Sequence, residues 1–362
     1  MVHNMTILLL KLVLFFLLLS PVLCKDKSSS ESEILNNGTI KITDLKSLEQ
    51  EVKAKLRNKP EPEFFLCAFT YVQNEAVDIA EWIEYHRLMG FDQFFLSDDC
   101  SSDRTIDVLK NVFVPEKIVT FHHFSNCSWG AHIQMKHNIF NLYLKAKDRC
   151  KYLTLFNVDE FITVQTDLYN GNLADYLREK EPLYYNFFAQ NMVEPDLIDK
   201  ENKLVLERIT KGKLNNYLHK SLLLSDTIVD WKWPHRPETF VKEYNDILSP
   251  LVMPFHPTYR DIKLKRVENT TVQAFVHAFF INHYQIRSFT EYLCGRALRL
   301  KSAGGSDNIW GIAPLVIFTD HNRDHEGEPV SKDFTSKMAL RVKERLKSLR
   351  LKYPYYWQFL QG

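Results

Sequence analysis

From residue 64 the chain alternates continuous apolar runs with segments whose apolar residues recur every three or four positions. Phe64–Tyr71 is an apolar and β-branched run of the kind that fills a buried strand. Ile79, Trp82 and Ile83 follow at helical spacing, and Gly90 closes that helix. Gln93–Ser97 predicts a second strand. It leads to a helix carrying Ile106 and Leu109, with Asp103 or Ser102 as its cap. A third strand is predicted over Lys117–Phe121, and a helix over Trp129–Lys147 with Ile133, Ile139, Leu142 and Leu144 inward. Tyr152–Phe156 is the fourth strand. Strand alternating with helix over residues 64–160 is the βαβ signature of a parallel sheet. From Lys332 the chain is basic and helical, with Leu340, Leu346 and Leu349 predicted inward.

The predicted strands stop on polar groups: Gln73-Asn74-Glu75, Asp98-Asp99, and Asn157 with Asp159. If the strands are parallel neighbours, these ends share one edge, where open α/β sheets bind ligands. A carboxylate cluster there can hold a hard divalent cation. The blander reading of Asp159-Glu160 is a turn cap. An extended chain alternates its side chains, so Asn157 and Asp159 would share a face while Glu160 turns away. That argues against an opposed pair of glycosidase carboxylates.

Composition places this chemistry in a compartment. The 362 residues carry a formal net charge of +1, which gives no electrostatic case for nucleic acid. Residues 1–24 read as a signal peptide or a type II signal anchor; uncleaved, the segment would hold the chain on a membrane. Either reading sends the remainder into the secretory pathway, to the Golgi membrane or lumen, or outside the cell if the leader is cleaved. Sequons at Asn37, Asn126 and Asn269 fit that route. Cys67, Cys100, Cys127, Cys150 and Cys294 lack CxxC spacing and allow up to two disulfides, with connectivity open.

Residues 25–62 read as a stem, with a short helix around Leu45–Leu56, and 63–362 as one folded domain. That domain divides into a nucleotide-binding half (63–165), an acceptor half (166–330) and a closing helix (331–362). No GxGxxG follows the first strand and no GxxxxGK[ST] occurs, which removes the dinucleotide and P-loop readings.

The stretch QNEAVDIAEWIEYHRLMGFDQFFLSDDCSSDRT, residues 73–105, resembles the opening of family-92 glycosyltransferases and related family-2-like enzymes. Gln134 sits where that family carries a Gln in its next helix, and Phe156–Phe161 matches its D-x-D-E-F block. Glu207-Arg208, His219-Lys220-Ser221, Ile281-Asn282-His283-Tyr284, Glu291-Tyr292 and Arg296 continue in the family's order.

The resemblance implies an α/β domain of the GT-A fold, with a Rossmann-like, mostly parallel sheet flanked by helices. It implies transfer of a hexose, galactose foremost, from a UDP-sugar to a glycan on glycoprotein or glycolipid, assisted by Mn²⁺ and with inversion. By the same resemblance Asp98 reads the uracil or ribose, and Asn74, Glu75, Asp103 and Gln134 line the nucleotide. Asp159 and His283 hold the metal, while Lys220 and Arg296 meet the diphosphate. Asn157 stands where the family's first Asp is expected; it can still bind the nucleotide by hydrogen-bonding a ribose hydroxyl, but it brings no charge to a metal. The acceptor hydroxyl needs a base, for which Glu194, Glu207 and Asp230 are the candidates. Glu207 could equally be an ordinary ion pair, and Trp231 and Trp233 either stack on an acceptor sugar or pack a core. His86 reads as packing. The competing class is an inactive scaffold that binds glycan or nucleotide sugar in the lumen, motivated by Asn157. A luminal glycoside hydrolase is weaker, since no carboxylate pair is evident.

Overall fold

The four apolar runs become four neighbouring strands: β1 (Phe64–Val72), β2 (Gln93–Asp98), β3 (Val119–His123) and β4 (Cys150–Leu155). They lie in the order β3-β2-β1-β4, all parallel. The computed structural model describes residues 54, 60–123, 131–164, 168–193, 204–234, 237–242, 279–284, 328–329 and 332–360. The leader, all three sequons and the helix expected around Leu45–Leu56 lie outside them, apart from Ala54. Residues Glu49–Gly362 form one compact unit.

Helix α1 (Ile79–Leu88) connects β1 to β2. A short helix α2 (Thr105–Val108), extended by a π-helical turn at Leu109–Phe113, connects β2 to β3. Helix α3 (Ala131–Ala146) then crosses back to β4 and packs on β1 and β2. Parallel crossovers are right-handed, so the reversal of direction puts α1 and α3 on opposite faces. The reversal also makes the gap between β1 and β4 the topological switch point of the sheet.

Beyond β4 the sheet becomes mixed. It continues with β7 (Lys211–Leu224), β6 (Tyr184–Val193), β10 (Phe279–His283) and β5 (Glu160–Val164). β7 runs antiparallel to β4 and to β6, and β10 runs parallel to β6 but antiparallel to β5. A two-residue strand, β11 (Glu328–Pro329), edges β7, and a small ribbon pairs β8 (Ile228–Asp230) with β9 (Thr239–Phe240). Helix α4 (Leu173–Lys180) follows β5, α5 (Val205–Arg208) follows β6, and α6 (Lys332–Lys352) lies against α1 and α5.

Several local expectations need correction. β3 starts two residues later than predicted, because Lys117 adopts φ 61° and turns the chain. Ile133 (64% exposed) and Leu144 (40%) face outward; the buried face of α3 is Ile139, Leu142, Tyr143 and Ala146. In α6 Leu340 is likewise outward, and Met338, Val342, Leu346 and Leu349 pack inward. The cap expected at Asp103, by contrast, is present: its Oδ1 accepts from the Thr105 amide at 2.9 Å. Cys67 is disulfide-bonded to Cys150, joining β1 to β4. Cys100 is also disulfide-bonded, and Cys127 and Cys294 lie outside the described residues.

The close of α1 shows how tightly this layer is built. Gly90 has φ +96°, and a Cβ there would lie 2.5 Å from Ala174 Cβ and 2.7 Å from Asn172 Oδ1. Both neighbours belong to the start of α4, whose Leu173 amide bonds Met89 O at 3.0 Å. Gly90→Ala should therefore cost about 1–3 kcal/mol through strain and overpacking. Chemical denaturation checks this, and an unchanged midpoint would refute it.

Candidate functional site

Because β1, β2 and β4 are parallel neighbours, their polar ends do share one edge. At the end of β1, Asn74 takes the left-handed conformation, φ 56°. Its Oδ1 accepts from the amides of Ser102 (2.8 Å) and Asp103 (3.3 Å), and its own amide donates to Ser101 Oγ at 2.9 Å. The Glu75 amide donates to Thr105 Oγ1 at 2.8 Å, and Ala76 donates to Asp103 Oδ2 at 3.0 Å. Asn74 and Asp103 thus lock the turn after β1 onto the turn after β2.

At the end of β2 the doublet Asp98-Asp99 splits across the sheet, as two-residue periodicity requires. Asp98 is sealed from solvent. Its Oδ2 accepts from the Ser101 amide at 3.1 Å and lies 3.7 Å from His123 Nδ1. Among the described residues its Oδ1 accepts no hydrogen bond. Asp99 lies on the α3 side, half-buried, with Asn138 donating to its Oδ1 at 3.3 Å. Burial and the neighbouring Asp98 charge push its pKa up to about 6, against hydrogen bonds from Gln134 and Asn138. Sequence reasoning singled out Gln134 and Asp98 but passed over Asp99 and Asn138. The signal was there: of two adjacent acids ending a strand, only one can face the helix α3 that packs on that side of the sheet.

The end of β4 differs from the extended chain assumed from the sequence. The Glu160 amide donates to Asn157 O at 3.0 Å, so residues 157–160 close a turn before β5 begins. Glu160 still points away from Asp159, into the interior, where Oε2 accepts from the Asn157 amide at 2.6 Å. It also meets Lys220 Nζ at 3.1 Å, both side chains being nearly fully buried. Asp159 projects at the edge with Oδ2 3.5 Å from His283 Nε2, and its carbonyl accepts from the Tyr284 amide at 2.7 Å. His283 reaches this position because β10 pairs antiparallel to β5 with His283 opposite Glu160.

The aromatic residues that carry the resemblance hold this edge from behind. Trp82 Nε1 donates to Glu160 O at 3.0 Å and Tyr85 OH to Ile162 O at 2.6 Å. His86 Nε2 accepts from the Ile162 amide at 3.2 Å, which leaves Nδ1 as the protonated nitrogen facing Trp82 O at 2.8 Å. Burial drives its pKa from 6.5 down to about 3, so the ring is neutral. His86 is packing, not chemistry.

The remaining candidates are spread out. Lys220 is nearly fully buried, with Nζ 3.1 Å from Glu160 Oε2 and donating to Pro234 O at 2.8 Å. Glu207 accepts from the Leu204 amide at 3.1 Å and pairs with Lys343 of α6 at 2.7 Å, on the α1 side of the sheet. Asp230 ends β8 and pairs with Lys232. Trp231 is buried edge-on against Phe69, whereas Trp233 is 37% exposed beneath Lys136 Nζ at 4.3 Å. Glu194 and Arg296 lie outside the described residues, as do His235 and His256.

One carboxylate and one imidazole converge at this edge, a donor pair that could serve a divalent cation. No group of three or more His, Cys, Asp or Glu gathers there among the described residues. No described helix is long and apolar enough to cross a membrane.

Among solved structures the chain is similar to HddC from Yersinia pseudotuberculosis (12% identity, 48% of this chain and 83% of that one, TM-score 0.28). It is also similar to S. aureus TarS (10% identity, 82% and 55%, TM-score 0.28). Scores this low carry no argument. A glycosyltransferase family 92 protein of Ricinus communis is 33% identical over 96 residues, 26% of this chain and 16% of that protein. One from Oryza sativa subsp. japonica is 26% identical over 113 residues, 31% and 18% respectively. The matched segments thus span less than a fifth of these relatives' length. The sequence profile of glycosyltransferase family 92 matches residues 63–275, more than half the chain and nearly all of the described sheet. The chain belongs to glycosyltransferase family 92.

Proposed function

We propose that this chain transfers a hexose, galactose foremost, from a UDP-sugar to a glycan acceptor in the lumen of the secretory pathway. The observation that carries the reading is the convergence of Asp159 and His283 on the carboxyl edge of the sheet, beside the switch point, in a family 92 chain. Asp159 and His283 would hold the divalent cation, Mn²⁺ in this reading, and the cation supplies Lewis-acid neutralisation of the leaving diphosphate. At the strand ends, Asp98 and Asp99 offer carboxylate oxygens to the N–H and O–H donors of uracil and ribose. Asn74 and Asp103 act indirectly, by holding the two turns that frame the nucleotide.

Inversion requires a base on the acceptor side that takes the hydroxyl proton as the hydroxyl attacks the anomeric carbon. Glu207, paired with Lys343, Asp230, paired with Lys232, and Glu194 are the candidates for this role. Trp233, exposed at the rim above α3, offers a ring face to the acceptor sugar.

The test is a donor screen: full-length protein from a secretory host, each UDP-hexose in turn, a panel of glycan acceptors, with and without Mn²⁺. Transfer of galactose dependent on Mn²⁺ is the expected result. Binding of UDP without turnover of any donor would instead support a luminal binding protein.

A further inference from the structure

We propose that Glu160 and Lys220 form a buried strut that aims Asp159 and ties its turn to the Trp231–Pro234 segment. Lys220 is then a positioning residue and not a ligand of the diphosphate. The inference rests on the reading of Asp159 as a metal ligand.

A buried ion pair is costly to desolvate, and apolar residues of similar volume often replace one without loss of stability. What the pair adds here is geometry. The turn at 157–160 is closed twice: by Glu160 N to Asn157 O at 3.0 Å, and by Asn157 N to Glu160 Oε2 at 2.6 Å. The second closure holds only while the Glu160 carboxylate stays where it is, and Lys220 Nζ, 3.1 Å away, keeps it there. Asp159 is one of the two residues, with Val158, between these closures. With its carbonyl fixed by the Tyr284 amide, its carboxylate is left facing His283.

The ammonium has a second attachment. It donates to Pro234 O at 2.8 Å, and the neighbouring Trp233 O accepts from Trp231 Nε1 at 2.8 Å. Trp231 is anchored in the core against Phe69 of β1. One buried lysine therefore bridges the turn that carries Asp159 and the segment that presents Trp233 at the surface. Outer-shell partners of this kind set the direction of a metal ligand without touching the metal.

The test uses the full chain and the paired substitution Glu160→Gln with Lys220→Met, which removes both charges and leaves neither stranded. Mn²⁺ is titrated calorimetrically into protein saturated with UDP, and UDP is titrated separately in chelator. Mn²⁺ affinity should fall about 10–100-fold, with metal-free UDP affinity unchanged. Unchanged Mn²⁺ affinity overturns the strut. Weakened UDP binding in chelator with intact Mn²⁺ affinity returns Lys220 to the diphosphate and also overturns it. Wild-type protein that binds no Mn²⁺ removes the metal reading itself, and the strut's role falls with it. Should the paired variant fail to fold, Lys220→Arg serves: it keeps the charge and reach, so it should retain most Mn²⁺ affinity. A loss as large as that of deleting Asp159 would count against the proposal.

Discussion

Asp159→Asn should leave roughly one hundredth of the transfer activity or less, the scale expected for deleting one preorganised electrostatic contact at a reacting centre. The thermal transition of the free protein should stay where it is. The substitution keeps the shape of the side chain and its backbone bond to the Tyr284 amide, and removes only the charge facing His283. On the proposed reading, that charge holds the cation that would neutralise the leaving diphosphate. His283→Ala should follow the same pattern if His283 is the second ligand of the proposed cation. Asn157→Asp, which restores the acid expected at that position, should tighten metal binding or leave it unchanged. A metal titration of transfer, or of donor hydrolysis, checks all three. Full activity in chelator with Asp159→Asn unimpaired would make Asp159 a turn residue only.

Acidification should destabilise the domain through His86. Its pKa is pushed down to about 3 in the fold, against 6.5 for an ordinary imidazole, so the unfolded chain binds the extra proton. Stability is therefore complete above pH 6.5 and falls as pH drops toward 3. The loss is on the order of 1 kcal/mol at pH 5.5 and grows to a few kcal/mol as pH approaches 4. Asp99 acts in the opposite sense: its raised pKa favours the fold as pH falls below about 6. The measurement that isolates His86 is the difference between wild type and His86→Gln, in which the Asp99 contribution cancels. Gln can still accept from the Ile162 amide, so the variant's offset should be largest at neutral pH and shrink on acidification. Parallel pH profiles of the two proteins would refute the assignment.

How much of this was visible in the chain depends on where each signal came from. β1 to β4 were legible because buried parallel strands are continuous apolar runs, and helical spacing separates them. β6 and β7 were not. Gln190 and Asn191 in one, and Lys213, Asn215 and Asn216 in the other, break both apolar continuity and strict alternation. Their partners also lie far away in sequence, as with β5 and β10. At the site, strand-end polarity located the edge, and resemblance supplied His283. What neither conveyed was orientation. Lys220 and Glu160 look like surface-site charges in sequence, yet they face each other inside the protein. The alternation argument for Asp159 also assumed a strand where the chain turns.

The pairing of β5 with β10 bears on synthesis. Asp159 and His283 are more than a hundred residues apart, and β5 has its described sheet partner only in β10. While the chain is being made, the parallel half can assemble as soon as β4 has emerged, but Asp159 then has no imidazole opposite it. β5 waits with an unpaired backbone edge, the kind of edge on which incomplete chains associate. A product ending at residue 275, where the family match stops, would lack β10 altogether. Such a truncation would keep Asn74, Asp98, Asp99 and Asp103 while losing the Asp159–His283 approach and the cover of the β5 edge together, so that approach forms only late in translation.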